Sequence, residues 1–140
     1  MDDTCTVYQT VDFIAKKWTL PILLELYKGT NETRRYSDLK KNLPGITPKT
    51  LSQRLKELED HHLLTKTIDT TAFPIKCHYT LTPSGIDIIR VITDIKTWAL
   101  KWNITNTTCE HQDCKHCTHQ PEHKNTTPRK QPQEPPTRHT

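Results

Sequence analysis

The residues best suited to chemistry lie in a polar segment near the end of the sequence, where cysteines and histidines cluster. Cys114 and Cys117 have the two-residue gap that lets two thiolates bind one tetrahedral zinc ion. Cys109, His111 or His119 could complete the ligand set for zinc, another thiophilic divalent ion or Cu(I). Because the sequence lacks a second cysteine pair at standard spacing, a disordered segment with incidental cysteines is an equally good interpretation.

The composition of the sequence changes after Trp102. The 140-residue chain is 32% hydrophobic with a mean hydropathy of −0.78, and 5–102 carries almost all of its aliphatic and aromatic side chains. Residues 1–102 are long enough for one domain. The segment 103–140 is rich in Thr, His, Pro and Gln, so it buries too little apolar surface to offset the entropy of ordering. We therefore expect it to be a disordered tail.

The net charge, the first residues and the apolar stretches of the sequence indicate where the protein is located and what it binds. The net charge of +4 and the pI of about 8.8 are compatible with nucleic acid binding but do not demonstrate it. The first residues contain neither a basic region nor a long apolar run, and every apolar stretch is shorter than the ~20 residues that a membrane span requires. We expect a cytoplasmic protein without a membrane partner, whose cysteines are thiols, redox switches or metal ligands rather than structural disulfides.

Motifs for catalysis are missing from the sequence. With only three glycines, the chain has no glycine-rich phosphate loop, and it has neither a nucleophile elbow nor paired carboxylates in a plausible pocket. The His61-His62 pair is more typical of a helix end than of a general base. We therefore predict that the protein is not an enzyme and requires no cofactor.

Hydrophobic periodicity and capping residues predict an α+β fold that is mainly α. The segment 18–27, with Thr19 as its expected cap, is apolar almost all round, which is typical of a buried central helix. Ser37 and Thr47 are expected to cap two further helices, and the Pro-Gly turn at 44–45 between them completes a helix-turn-helix pattern. The predicted helices are 6–16, 18–27, 38–43, 48–60 and 84–102, and the predicted strands are 34–36, 64–69 and 75–82.

The helix at 48–60 presents a polar face that suits DNA recognition. On a helical wheel Leu51, Leu55 and Leu58 fall within about 60° of each other and face the core. Gln can hydrogen-bond adenine edges, Lys can reach guanine or phosphate, and Ser and Thr can serve either partner. The alternative is an ordinary solvated helix face. The candidate DNA-binding residues here are Thr47, Lys49, Thr50, Ser52, Gln53, Arg54 and Lys56, of which Arg54 and Lys56 are expected to contact phosphate.

Two flanking elements support this interpretation. The strands that follow form a hairpin, the predicted wing, and Lys66 and Lys76 on it could contact the DNA backbone or minor groove. The long C-terminal helix at 84–102 is apolar around more of its circumference than one ~100° stripe facing a core requires. This excess predicts a second burial surface, namely a dimer partner.

Three runs of sequence together resemble the HxlR-type family of winged helix-turn-helix regulators, which are MarR-like. They are KKWTLPILLEL at 16–26, RRYSDLKKNLPGITPKTLSQRLKELE at 34–59 and FPIKCHYTLTPSG at 73–85. The resemblance covers about residues 5–102. It implies a homodimer that pairs its first and last helices and places two reader helices in successive major grooves of a near-palindromic double-stranded DNA operator. It also assigns the reader helix to 47–60 and the wing to 69–76, with Lys76 where the family commonly has Arg.

The resemblance implies a sensing role for Cys5, because in part of this family a cysteine at this position senses oxidants or electrophiles. A reactive thiol needs a nearby positive charge or a helix N-terminus, and Cys5 directly precedes the first predicted helix. Oxidation could link Cys5 to its counterpart in the dimer or to another thiol. The alternative is a small packed thiol without a redox role. Cys77, on a predicted strand, is expected to be buried.

Two functions therefore remain open on sequence. The first is a sequence-specific DNA-binding regulator, expected to be a repressor, controlled by thiol oxidation. The second is a metal- or redox-binding sensor module in which the cysteine- and histidine-containing tail is the functional part.

Overall fold

The computed structural model describes residues 5–71, 73–102, 110 and 113–117. Within these ranges the chain forms five α-helices and one three-stranded antiparallel sheet. The helices are α1 (Thr6–Ile14), α2 (Thr19–Lys28), α3 (Tyr36–Asn42), α4 (Pro48–Asp60) and α5 (Pro83–Trp102), and the strands are β1 (Thr33–Arg35), β2 (Leu64–Asp69) and β3 (Lys76–Leu81). The predicted mainly helical α+β class, with a helix-turn-helix, a hairpin wing and a long last helix, is confirmed. The predicted boundary after Trp102 adjoins residues outside these ranges and stays a prediction.

Helix α2 forms the centre of the core, as its composition predicted. Ile22, Leu23 and Leu26 are fully buried, and the helix packs against α3, α4, α5 and β3. The predicted cap at Thr19 is wrong, because Thr19 is the first helical residue and is itself buried. Its hydroxyl donates to the Phe13 carbonyl oxygen at 3.4 Å instead, since the short connection brings the end of α1 over the start of α2.

Helices α3 and α4 form the helix-turn-helix. Gly45 in the turn between them has a φ of 92°, a left-handed conformation that favours glycine. Thr47 caps α4 as predicted, because its Oγ1 accepts a hydrogen bond from the Thr50 backbone N at 3.2 Å. The predicted Ser37 cap of α3 is wrong. The helix begins at Tyr36, because β1 ends at Arg35 and passes directly into it without a capping side chain.

Helix α4 ends in a Schellman motif in which His62 takes the place usually held by glycine. The Leu63 N donates to the Leu58 O at 2.9 Å, and the His62 N donates to the Glu59 O at 3.0 Å. His62 has a φ of 62°, and Leu58 and Leu63, which occupy the two positions of the hydrophobic pair that often accompanies this motif, are both buried. The helix end that the two adjacent histidines suggested is therefore real.

The sheet has β3 at its centre, paired antiparallel with β1 on one side and β2 on the other. Thr33 lies opposite Thr80, and their hydroxyl oxygens are 2.9 Å apart. The β2–β3 ladder runs from Leu64 opposite Leu81 to Asp69 opposite Lys76. Because Leu64 is the only buried residue of β2, the hairpin extends away from the core as a wing.

Two helices carry apolar side chains that the described part of the chain leaves uncovered. On α1, Val7 and Val11 are exposed, and no residue of α1 is buried. On α5, Ile89 and Ile92 face the core, while a second stripe of exposed residues lies roughly 120° away around the helix. That stripe consists of Val91, Ile95, Trp98 and Trp102. Among the described helices, none is both long and apolar enough to cross a membrane.

The start of α5 fits tightly against the end of α4. The Thr82 hydroxyl accepts a hydrogen bond from the Gly85 N at 3.1 Å and donates to the His62 O at 2.6 Å. A Cβ on Gly85 would clash with the carbonyl oxygen of Leu63, and that oxygen already accepts a hydrogen bond from the Thr82 N at 3.1 Å. The glycine in this place therefore sets how closely α5 approaches the core.

We expect Gly85→Ala to lower the free energy of unfolding by about 2–3 kcal/mol, because the backbone at Leu63 has little room to move. Urea unfolding followed by circular dichroism measures the change. The matched control is Ser84→Ala, at an exposed position one residue earlier, which should change stability by less than ~0.5 kcal/mol. Equal stability of the two variants would contradict the tight approach.

Candidate DNA-binding surface

The side chains of α4 form a buried face and an exposed polar face, as the helical wheel predicted. Leu51, Leu55 and Leu58 are buried on one side. The polar residues predicted to read DNA lie on the other side or its flanks. Thr47, Lys49, Ser52, Gln53 and Lys56 are exposed, and Thr50 and Arg54 are half-buried.

The first turn of α4 is ordered by its own side chains. The Thr47 hydroxyl donates to the Thr50 Oγ1 at 2.9 Å and accepts from the Thr50 N. Tyr36, at the start of α3, donates its hydroxyl proton to the Pro48 carbonyl oxygen at 3.3 Å. These bonds fix the N-terminal end of α4, the part of a recognition helix that contacts bases. Base contact by Thr47 and Thr50 stays a prediction.

Lys56 and Lys66 border a common cleft although one is on α4 and the other on the wing. Together with Ser52 they line a small cleft of about 120 Å³ between α4 and β2. Lys56 also lies 3.0 Å from an Asp60 oxygen and 3.7 Å from a Glu59 oxygen. The hydrogen bond to Asp60 and the charge of that carboxylate raise the pKa of Lys56, which keeps it protonated. The tertiary structure thus joins the wing to the exposed face of α4.

Arg54 has a structural role that the sequence analysis missed. Its Nε donates to the Lys17 carbonyl oxygen at 3.0 Å, and its Nη1 lies 3.1 Å from Glu57 Oε1. Lys16 lies 3.2 Å from the same Glu57 oxygen, while Glu57 Oε2 is buried and has no hydrogen-bond partner among the described residues. The sequence contains one signal of this role, because Arg54 is only about 60° from Leu51 on the helical wheel. Phosphate contact by Arg54 stays a prediction.

A ring contact connects the end of α1 to the end of α4. The Phe13 and His61 rings stack with centroids 3.8 Å apart and an angle of 10° between their planes. Phe13 lies near the end of α1, and His61 directly follows the last residue of α4. Together with Arg54 and Glu57, this contact ties the α1–α2 connection to the predicted reader helix.

Lys76 lies at the loop end of the wing, opposite Asp69. It lines a cleft of about 390 Å³ that also includes Arg35 and Cys77, so two cationic side chains border the start of α3. Cys77 is half-buried rather than buried. Burial and the neighbouring Cys77 thiol raise the pKa of Tyr79, whose hydroxyl therefore remains neutral. In the wing loop Phe73 is fully exposed, an apolar feature that the sequence analysis did not single out.

Cys5 lies at the predicted place, at the N-cap position of α1. Its carbonyl oxygen accepts the first helical hydrogen bond, from the Gln9 N at 3.0 Å, and the residue is half-buried. The structure thus places Cys5 at a helix N-terminus, the location that the argument from thiol chemistry requires. Its redox role stays a prediction.

The predicted metal ligands are only partly within the described ranges. Cys114 and Cys117 are described and are both half-buried, whereas Cys109 and His119 lie outside. Among the described residues, no group of three or more His, Cys, Asp or Glu side chains could hold a metal ion. The metal site stays a prediction.

Comparison with known proteins identifies the family. A model of the HxlR-like helix-turn-helix family matches residues 13–107. The chain belongs to this family. This HxlR-like protein is 29% identical over 100 residues to the HTH-type transcriptional regulator YodB of Bacillus subtilis, a match that covers 71% of this chain and 86% of YodB. The structure of reduced YodB aligns with a TM-score of 0.63 at 26% identity and covers 74% of this chain and 98% of YodB.

Two other solved structures extend the comparison. One is a protein of Porphyromonas gingivalis W83 assigned to the MarR family of transcriptional regulators, with a TM-score of 0.65 at 31% identity, covering 74% of this chain and 97% of that one. The other is the redox regulator HypR in its oxidised form, with a TM-score of 0.62 at 25% identity, covering 72% of this chain and all of HypR. Fold and family make this HxlR-like chain a helix-turn-helix transcriptional regulator.

Proposed function

We propose that this protein is a sequence-specific DNA-binding repressor, which acts in the cytoplasm as a homodimer on a near-palindromic operator and is controlled by thiol oxidation. The DNA-binding part rests on the exposed polar face of α4 and on the cleft that Lys56 of α4 and Lys66 of the wing both border. One surface thus offers hydrogen-bonding side chains for bases and cations for phosphates. The protein bound to an operator would block RNA polymerase from the promoter. Repression is therefore the expected result.

The residues of α4 have separate roles in this proposal. Lys49 and Gln53 are exposed in the first half of the helix, where recognition helices contact base edges. Gln53 would bind an adenine edge, and Lys49 a guanine or a phosphate. Lys56, Lys66 and Lys76 would contact phosphates on either side of the groove.

We expect Gln53→Ala to weaken binding of the selected operator by about 5- to 150-fold and to relax base preference at one position, because a base contact is lost. Lys49→Ala should weaken binding and, if the lysine contacts phosphate, reduce the slope of log K against log salt by about 1. Selection from a random duplex library supplies the operator, and fluorescence anisotropy at several salt concentrations measures affinity.

The matched control is Arg90→Ala, which removes one positive charge from an exposed position of α5 far along the chain from α4. It should leave the affinity for the operator within about twofold of the unmodified protein. Selection that enriches no sequence, together with equal, steeply salt-dependent binding to every duplex, would overturn the proposal and leave only backbone electrostatics.

The homodimer part of the proposal is supported by the uncovered apolar stripe of α5 and the exposed apolar face of α1. Monomeric proteins rarely leave such contiguous apolar surface in water. A two-fold axis that pairs these helices would cover both faces at once and place two copies of α4 about 34 Å apart, one turn of DNA.

We expect Ile95→Lys to raise the dimer dissociation constant at least about 100-fold, because the two-fold axis would place two copies of the charge in an apolar interface. Sedimentation equilibrium measures it. The matched control is Thr97→Lys, which adds the same charge at an exposed position away from both apolar stripes. If both variants dimerise like the parent, α5 does not form the interface.

Thiol control is proposed for Cys5. Two Cys5 thiols of a dimer would form one disulfide and transfer two electrons and two protons to the oxidant. The resulting change in α1 would reach α4 through the Phe13–His61 stack and the contacts of Lys16 and Lys17 with Glu57 and Arg54. Among the relatives, HypR is described as a redox regulator and YodB has been solved in reduced, diamide-treated and quinone-bound forms.

We expect diamide to release the parent protein from its operator and Cys5→Ser to abolish that release, because the disulfide can no longer form. Anisotropy measures the bound fraction, and a non-reducing gel measures the interchain disulfide. Cys77→Ser is the matched control and should respond like the parent. Unchanged release from the Cys5→Ser variant would show that Cys5 is not the sensor.

A further inference from the structure

Residues 113–117 contact the domain at a place more than 80 positions earlier in the sequence. The Lys115 Nζ donates to the Tyr27 carbonyl oxygen at 2.7 Å and lies 2.8 Å from Glu32 Oε1. The same ammonium group is 4.6 Å from the centre of the Tyr27 ring. One cation thus bridges the end of α2 and the residue that precedes β1.

The end of α2 is a favourable place for this ammonium group. Tyr27 lies in the last turn of the helix, where backbone carbonyls have no partner within the helix and the helix dipole is negative. Lys115 and Glu32 are each about 30% exposed, so water screens their attraction less than that of a fully exposed pair. We name the segment 113–117, held in this way by Lys115, the strap.

Two thiols flank the anchoring lysine. Cys114 and Cys117, on either side of Lys115 and His116, are both half-buried. Asp113 stabilises the bend, because its Oδ1 accepts from the His116 N at 2.9 Å and lies 2.8 Å from His116 Nδ1. These bonds hold the pKa of Asp113 below its usual value, so the carboxylate remains ionised as the acceptor. A C-x-x-C pair in a bent segment has the spacing of a redox-active dithiol.

The strap lies beyond the region that the relatives share. The family match ends at residue 107. Alignments that use 74% of this chain already cover 97% of the P. gingivalis structure and 98% of the YodB structure. The relatives therefore assign no role to Cys114, Lys115 or Cys117.

We propose that Cys114 and Cys117 form a redox-active dithiol that exchanges with low-molecular-weight disulfides, and that Lys115 couples its oxidation state to the end of α2. This site is separate from Cys5 and does not depend on DNA binding.

The reaction is a two-step thiol–disulfide exchange. One of the two cysteine thiolates attacks a sulfur of the small disulfide, forms a mixed disulfide and displaces one small thiolate. The other cysteine thiolate then attacks the mixed disulfide at the protein sulfur and displaces the second small thiolate. The protein loses two electrons to the small disulfide, and the two protons released by the cysteines end on the two small thiols.

Lys115 couples this reaction to the domain because it lies within the ring that the disulfide closes. The contacts of Lys115 with Tyr27 and Glu32 belong to the dithiol form. Closing the ring restrains the backbone on both sides of Lys115 and weakens those contacts. By linkage, the factor by which the disulfide weakens these contacts is also the factor by which the contacts disfavour the disulfide. Loss of the contacts therefore makes the disulfide easier to form.

The full-length protein is equilibrated in buffers of reduced and oxidised glutathione, alkylated, and cleaved after glutamate. Cleavage after Glu110 and Glu122 yields a peptide that contains Cys114 and Cys117 but not Cys109. Mass spectrometry should show an internal disulfide in the parent protein. Cys114→Ser and Cys117→Ser should each proceed no further than a single glutathione adduct.

Lys115→Gln tests the coupling, with Lys41→Gln at an exposed position of α3 as the matched control. We expect half of the Lys115→Gln protein to be oxidised at a ratio of oxidised to reduced glutathione at least about fivefold lower than the parent requires. The control variant should require the same ratio as the parent. Glu32→Gln, which removes the ion pair from the other side, should shift the ratio in the same direction. Amide hydrogen exchange at residues 27–32 should accelerate in the oxidised parent and in reduced Lys115→Gln.

Three results would overturn the proposal. The first is the absence of a Cys114–Cys117 disulfide under oxidation. The second is a glutathione ratio at half-oxidation that stays unchanged in both Lys115→Gln and Glu32→Gln. The third is a stoichiometric zinc adduct in native mass spectrometry that both serine variants lose and that blocks disulfide formation, since the two thiols would then serve a metal site.

Discussion

Burial of α2 is the constraint on which the rest of the structure depends. This helix packs against α3, α4, α5 and β3, so its position decides where the helix-turn-helix and the last helix lie. It also buries an acid, Glu25, whose carboxylate lies 3.3 Å from Lys28 and accepts a hydrogen bond from Asn42 of α3 at 3.4 Å. Arg34 of β1 donates to the Glu25 carbonyl oxygen at 3.1 Å. A buried charge is tolerated when it is paired in this way, and here the pairing also orients α3 and β1 around α2.

The candidate reader helix is held at three places by different means. Its N-terminal end is capped by Thr47, its C-terminal end closes in the Schellman motif at His62, and its side is tied to the α1–α2 connection through Arg54. A helix fixed at both ends and along one side can present its remaining face with little reorganisation, which favours specific binding. The same contacts make α4 sensitive to movement of α1, which begins at Cys5.

Most element types could be predicted from the sequence because local chemistry determines them. The bounds of α4 followed from Thr47, Pro48 and the leucine spacing, and each of these acts within one or two helical turns. The predicted caps at Thr19 and Ser37 were wrong for a common reason. At both places the backbone path is set by packing between elements, the end of α1 against α2 and the end of β1 against α3, and such contacts override the preference of one residue for a cap.

The sequence by itself determined the order of helices and strands, the outward polar face of α4 and the position of Cys5 before α1, because these depend on periodicity and on neighbours in the chain. Only the tertiary structure decided that Arg54 binds Lys17 and Glu57, that Lys66 of the wing borders the same cleft as Lys56, and that Lys115 reaches Tyr27 and Glu32. These contacts join residues up to 88 positions apart. No local pattern encodes such a contact, since it exists only once burial of the core has brought the two segments together.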